Sequence, residues 1–279
     1  MAGDFLIRVM SRQELDRAID WAAAEGWNPG RDDGDAFYAA DPAGFFVGVL
    51  DGDPIASLSL VAYDAHFSFL GFYIVQPAHR GKGLGLALWR EALARHRTPV
   101  IGLDGVVAQQ ENYKQSGFRL AYRNIRYGGV VAGKASSRLE AAAAIPFDQL
   151  LVYDREFFPA PRPAFLGHWL RPAHGSALVA IDGGRLRGLG VVRACREGFK
   201  LGPLYAETES IAAELFLALA ATARGAMIYL DVPAPNAAAI RLAERHGMKP
   251  VFETARMYTG AAPDLPLARL FGVTSFELG

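Results

Sequence analysis

The sequence predicts an α+β protein of two similar domains, each a mixed, mostly antiparallel sheet flanked by helices. Three observations carry this. The chain has 279 residues, 51% hydrophobic and 21% charged, which suits two cored domains of roughly 130–150 residues better than one. Closely spaced apolar runs with an intervening Asp-Gly turn have the spacing of an antiparallel meander, and they lead into a glycine-rich loop and an amphipathic helix. Two segments of the first half also recur in the second. "VLDGDPIASLSLV" lies over "AIDGGRLRGLGVV" at an offset of 131 residues (Gly52 to Gly183), and "KQSGFRLAYRNIRYGG" over "ERHGMKPVFETARMYTG" at 130 (Gly117 to Gly247).

Taken in order, "FLIRVM" reads as a short strand. Ser11 and Glu14 then form an S-x-x-E capping box ahead of a helical pattern in Leu15, Ala18, Ile19 and Ala22. The Gly/Asp/Pro-rich stretch from Asn28 to Pro42 reads as irregular. "GFFVGVL", a "DGDP" turn, "IASLSLVAY" and "FSFLGFYIV" form the meander, followed by a helix from about Leu84 to His96. The strand "VIGLDGV", a short helix through "QQENYKQSG" stopped by Gly117, and the strand "RLAYRNIRY" complete the first half. The alanine-rich stretch Val130 to Pro146 reads as a linker, which sets the domains at residues 1–135 and 146–279.

Lys plus Arg and Asp plus Glu both number 29, so no global field draws the chain to nucleic acid or to an anionic membrane, and any anion site is local. The alternation of Arg119, Arg123 and Arg126 in "RLAYRNIRY" reads as one solvated strand face and gives no nucleic-acid partner. "LFLALAATA", Leu215 to Ala223, falls well short of the roughly 20 apolar residues of a membrane span and reads as a core helix. The opening residues, interrupted by Asp4, lack the apolar segment of a secretion signal. With the single Cys195, a small core residue rather than part of a disulfide framework, this makes the expected location cytoplasmic. Six scattered histidines without H-E-x-x-H spacing give no metal site, and no G-x-S-x-G elbow marks a serine hydrolase.

The informative stretch is "IVQPAHRGKGLGLALWREALARH", Ile74 to His96. Backbone N–H groups of a glycine-rich turn can point inward at a phosphate while the following helix adds the positive end of its dipole, and Arg80 and Lys82 supply charge. Spacing separates the families that use such loops. Gln76 stands where a P-loop needs its first glycine and Gly83 where it needs Ser or Thr. A dinucleotide fingerprint would end on Leu86 or Leu88 instead of Gly or Ala. The pattern [QR]-x-x-G-x-[GA] is met by Arg80, Gly83 and Gly85.

On these residues the segment "IVQPAHRGKGLGLALW" resembles the acetyl-coenzyme A loop of the GNAT superfamily of N-acetyltransferases. "ENYKQSGF" is similar to that family's "LYEKLGF" segment, with Tyr113 in the place of its tyrosine. The closing "FGVTSFELG" resembles that of tandem GNAT proteins whose second domain is degenerate. The resemblance implies two GNAT-like domains and a cofactor, acetyl-CoA. It places Ile74 and Val75 alongside pantetheine and Arg80, Gly81, Lys82, Gly83, Leu84, Gly85 and Leu86 around the pyrophosphate. A bulge near Gly71 to Tyr73 would turn an N–H toward the thioester carbonyl.

Tyr113 is the implied general acid, since a phenol with an ordinary pKa of about 10 is protonated at pH 7. The family's carboxylate on the loop strand is missing from "FLGFYIV", which leaves Asp104, or Asp64 and His66, as proton relays. Val106 stands where many members have asparagine, with Gln109 or Gln110 as substitutes, whereas the second half has Asn236 but Ala243 in place of the tyrosine. That half also carries Glu207 and Glu209 where a pyrophosphate would sit, so a single cofactor site is expected, in the first domain. Tyr205, Tyr229 and Trp169 are candidates for the acceptor cleft or the core. The implied activity is acetyl transfer to a primary amine, most simply of a small molecule, in a monomer or homodimer. The alternatives are a non-catalytic acyl-CoA sensor and a peptide or protein acetyltransferase.

Overall fold

The computed structural model describes residues 4–95 and 98–279. Its elements run β1 (Phe5–Val9), α1 (Arg12–Ala24), α2 (Asp33–Ala40), β2 (Phe45–Leu50), β3 (Asp53–Ala62), β4 (Phe67–Val75), α3 (Leu84–Arg95), β5 (Val100–Val106), α4 (Gln110–Gln115) and β6 (Arg119–Val130). The second half continues with β7 (Leu139–Ala141), α5 (Phe147–Arg155), α6 (Pro163–Trp169), β8 (Gly175–Asp182), β9 (Arg185–Ala194) and β10 (Phe199–Ala206). It ends with α7 (Glu209–Ala220), β11 (Met227–Pro233), α8 (Ala237–Arg245), β12 (Lys249–Tyr258) and β13 (Leu270–Gly272).

The capping box forms as the spacing predicts, with Ser11 accepting from the Glu14 N–H and Glu14 from the Ser11 N–H, and Leu15, Ala18, Ile19 and Ala22 are the buried face of α1. Two expectations change, and one falls outside the described residues. The stretch read as irregular contains α2, whose Phe37 packs against Trp169 of α6 (ring centroids 5.9 Å apart). The alanine-rich linker contains β7, paired with β8. His96, expected to close the loop helix, lies outside the described residues. The apolar stretch Leu215 to Ala223 is indeed core, burying Leu215, Phe216 and Leu219 of α7. Among the described residues no helix is long and apolar enough to cross a membrane.

The repeat appears as a pseudo-twofold axis through one thirteen-stranded sheet in the order β1-β2-β3-β4-β5-β12-β6-β11-β10-β9-β8-β7, with β13 on β10. Each half contributes four antiparallel strands and a fifth that joins in parallel, β5 beside β4 and β11 beside β10. The sixth strands are exchanged. β12 pairs with β5, β6 pairs with β11, and the two exchanged strands pair with each other across the axis. Neither half therefore closes its own sheet.

Helices cover both faces, because residues of one strand alternate between cores: Phe45 and Val47 join α1, α2 and α6, whereas Phe46 joins α3. The exchange also explains the arginines of β6. Arg119 is exposed, but Arg126 is 97% buried, since this strand lies at the centre of the sheet rather than on a solvated edge.

Candidate active site

β4 and β5 pair only from Phe67↔Val100 to Leu70↔Leu103 and then part. Beyond Leu70 a cleft of about 440 Å³ opens between them and runs to the glycine-rich loop. The expected bulge is present. The β3–β4 register shifts between the pairs Ser59↔Gly71 and Ser57↔Ile74, and Phe72 takes φ +47°. The Ser57 hydroxyl donates to the Phe72 carbonyl at 2.7 Å, and in a trans peptide this turns the Tyr73 N–H the other way.

At the loop, Gly81 and Gly83 have φ of +73° and +80°, and a Cβ at either would meet nothing within 4 Å. Only glycine adopts that backbone without strain, and the space above it is open. The first-turn N–H groups of α3 lack helical acceptors and border the same space. Of the residues expected at the cofactor, Ile74, Val75, Arg80, Gly81, Gly83, Gly85 and Leu86 line the cleft. Lys82 and Leu84 stand outside the lining. Lys82 Nζ donates to the Ala78 carbonyl at 2.8 Å, and Arg80 donates to the Val75 carbonyl at 2.8 Å while pairing with Glu25. A pyrophosphate fits this arrangement through backbone N–H groups, with Arg80 at the rim.

Tyr113, on α4, lines the cleft with its ring stacked on Trp89 (centroids 5.7 Å). Its position depends on Gly105 of β5, where a Cβ would come within 2.1 Å of the tyrosine ring. Burial, with a smaller contribution from Tyr73, pushes the phenol up to about 12. At neutral pH it is a proton donor.

Asp104 also lines the cleft, but its oxygens are engaged. Arg256 of β12 binds it through two nitrogens at 2.8 and 2.6 Å, and Asn124 of β6 donates at 2.8 Å. Burial pushes this carboxyl up, against the pull of Arg256. The same pair recurs across the axis, where Arg126 of β6 binds Asp231 of β11 at 2.6 and 2.8 Å. In both pairs arginine and aspartate are register partners of an exchanged strand and its host. A feature repeated in the half without the loop is a lock on the exchange, which does not suit Asp104 to the proton relay expected of it. Asp64 accepts from the N–H groups of His66 and Phe67 in a turn at the far end of β4, and neither Asp64 nor His66 lines the cleft.

Gln109 lines the cleft and accepts from Asn112 at 2.6 Å. Asn236 caps α8 and holds the Leu270 carbonyl, so the second half's asparagine serves its own fold. Trp169 and Tyr205 are core residues, and neither they nor Tyr229 line the cleft. Trp27, Phe252, Phe276 and Glu277 do instead, together with Arg126 and Thr254. Phe252, Thr254, Phe276 and Glu277 come from outside the first repeat, through the strand exchange and the closing segment, whereas Arg126 reads as part of a solvated face and Trp27 carries no local signal.

The corresponding gap in the second half is filled by the chain itself. β13 pairs with β10 at Leu204↔Gly272 and Tyr205↔Leu270, and the Val273 N–H donates to the backbone carbonyl of Asp231 in β11 at 2.9 Å. The β9–β10 register shifts as in β4, but Pro203, 131 residues after Phe72, removes an N–H at the bulge. Glu207 follows β10 in place of the glycines and pairs with Arg187.

Comparison with known proteins agrees with this architecture. Residues 13–136 match the model of the acetyltransferase (GNAT) family and residues 150–272 that of an acetyltransferase (GNAT) domain. Over 272 residues the chain is 32% identical to a holothin acyltransferase of Pseudoalteromonas sp. (strain SANK 73390), covering 96% of this chain and 92% of that protein. A solved structure from Pyrococcus horikoshii, designated an acetyltransferase, superimposes with a TM-score of 0.84 at 22% identity, covering 99% of this chain and 96% of that one. A tandem GNAT protein from the clavulanic acid biosynthesis pathway has a TM-score of 0.64 at 13% identity, with coverage of 93% and 100%. The chain thus belongs to the GNAT acetyltransferase family, as an acyltransferase with two GNAT domains in tandem.

Proposed function

We propose that this acyltransferase moves an acetyl group from acetyl-CoA to a primary amine of a small molecule, in the cleft between β4 and β5. The observation that carries the reading is the parting of β4 and β5 beyond Leu70, continuous with open glycine N–H groups at one end and Tyr113 within it. Acetyl-CoA supplies the thioester-activated acyl group. Ile74 and Val75 offer a strand edge that β5 leaves unpaired. Gly81, Gly83, Gly85 and Leu86, with the backbone of Lys82 and Leu84, hold the pyrophosphate, and Arg80 closes over it. The Tyr73 N–H at the bulge is the donor for developing negative charge, a contribution worth about 3 kcal/mol for donors of this kind. Tyr113 protonates the departing sulfur. Asp104 acts on this site through Arg256 and Asn124, fixing β12 beside it.

The small-molecule acceptor draws support from the holothin acyltransferase, whose similarity spans almost the whole chain. Thiol release from acetyl-CoA across holothin, amino acids, polyamines, aryl amines and short peptides tests the reading. Release with one amine class establishes the acceptor chemistry, whereas release with short peptides alone, or with none, overturns it.

A further inference from the structure

The chemistry above lacks a group to take the amine proton. β4 has no carboxylate, and Asp104 is committed to Arg256. The closing segment supplies one. After β13 it crosses from the second half to the first, where the Glu277 carbonyl packs so closely on the β4 bulge that a Cβ at Gly71 would come within 2.1 Å of it. The segment is pinned on both sides of this contact. Arg162 donates to the Thr274 hydroxyl at 2.9 Å and to the Gly279 carbonyl at 3.2 Å, and the Tyr63 hydroxyl donates to the Leu278 carbonyl at 2.8 Å.

Glu277 lines the cleft, is 97% buried, and has a buried Oε2 without a hydrogen-bond partner. Such a group is costly unless something pairs with it. Two cations face it. Arg126 of β6 gives two nitrogens to Asp231 and a third to the Trp27 carbonyl, whereas Arg193 of β9 is bound by Asp33 of α2 through Nε and Nη2 and keeps a buried Nη1 without a hydrogen-bond partner. Lys200 of β10 reaches the Trp27 carbonyl at 3.4 Å. From the first repeat, Tyr73, His79, Tyr113, Glu25 and Asp104, the last bound by Arg256 of β12, border the same cleft.

We infer that Glu277 is the carboxylate that receives the acceptor's amine nitrogen and takes its proton during transfer. This rests on the proposed amine acetylation. The nitrogen lone pair forms the N–C bond to the acyl carbon, and the C–S bond breaks with its electron pair going to sulfur. One N–H proton passes to Glu277, the Tyr113 proton passes to sulfur, and solvent returns the proton from Glu277 to Tyr113. Trp27, Phe252 and Phe276 beside the carboxylate make a flat, aromatic amine the best-fitting acceptor.

The test compares wild type with Glu277→Gln, which keeps the shape of the side chain, and Glu277→Asp. Calorimetry with CoA and thermal melts verify the cofactor end and the fold. Binding of benzylamine and 1,4-diaminobutane to the CoA-loaded protein reads the amine end without turnover. We expect unchanged CoA affinity, at least tenfold weaker amine binding in Glu277→Gln, and a turnover loss of about 10²–10⁴ partly rescued in Glu277→Asp. Wild-type amine binding and turnover in Glu277→Gln would overturn the assignment, as would a turnover loss matched by a lowered melting temperature with amine binding unchanged. Amine binding that depends on Glu277 without thiol release from wild type would instead refute the acetylation reading.

Discussion

Asp104→Asn separates a structural from a catalytic role for the one acid of β5. The side chains of Asp104 and Arg256 are 0% and 5% exposed, and their bidentate contact ties an exchanged strand to its host. Neutralising one partner leaves a guanidinium buried without its counter-charge, at a cost of about 3–5 kcal/mol. With an unfolding entropy of about 2.1 cal/mol/K per residue over 279 residues, that lowers Tm by about 5–9 °C. Asp231→Asn is the internal control, because Asp231 and Arg126 are the same pair across the axis and Asp231 does not line the cleft. Calorimetric melts of the two variants should fall by similar amounts. At a temperature well below both transitions, Asp104→Asn should keep turnover within about tenfold of Asp231→Asn, a gap smaller than the 10²–10⁴ of a lost acid–base group. A Tm within 2 °C of wild type, or a 100-fold loss confined to Asp104→Asn, would refute the reasoning and restore Asp104 as a proton relay.

Tyr113→Phe should lower kcat by about 10²–10⁴ with CoA affinity unchanged by calorimetry, and a variant as fast as wild type would reduce Tyr113 to packing. Because burial holds this phenol near 12, its loss of activity with rising pH belongs above the ordinary tyrosine value of 10. Gly83→Glu adds a side chain at φ +80° and a negative charge in the open loop, so CoA binding measured by calorimetry should disappear while the far-UV spectrum is retained. Glu14 is held at about 2, chiefly by its hydrogen bond from Arg8, against an ordinary value of 4.5. Its folded-state pKa is depressed, so its stabilisation is present above pH 4.5 and is lost as pH falls toward 2. Thermal melts of Glu14→Gln should lie below wild type at neutral pH and converge with it at the acid end.

Local rules made much of the fold legible. The Ser11–Glu14 box, the Asp51-Gly52 turn and the stop at Gly117 depend on residues a few positions apart, and each stands where its spacing places it. The glycine-rich end of the cleft was legible for the same reason, since a loop between a strand and its following helix is contiguous in sequence. Helix α2 was hidden because its eight residues, "DGDAFYAA", have weak amphipathicity, and their fate is decided by packing against α6 from the other half. Exchange of β6 and β12 leaves no local mark either: Arg126 and Arg256 look like solvated strand residues until their partners, Asp231 and Asp104, are known. Glu277 lies 206 residues from Gly71 in sequence (277 minus 71), and no periodicity connects them.

The exchange explains why a duplicated fold keeps one cleft. In each half, the parting of the parallel pair exposes backbone groups that something must satisfy. In the second half β13 does so, Pro203 withholds an N–H at the bulge, and the Glu207 carboxylate stands in place of the loop glycines. The chain that fills this gap then continues across the axis and brings Phe276 and Glu277 to the other. Closing one gap and furnishing the other are therefore done by a single run, Leu270 to Gly279, every residue of which is buried. A substitution that loosens β13, such as a larger residue at Gly272, where a Cβ would come within 2.8 Å of Leu230, acts on the distant cleft through that run. The second half thus closes its own gap and supplies part of the wall of the first half's cleft.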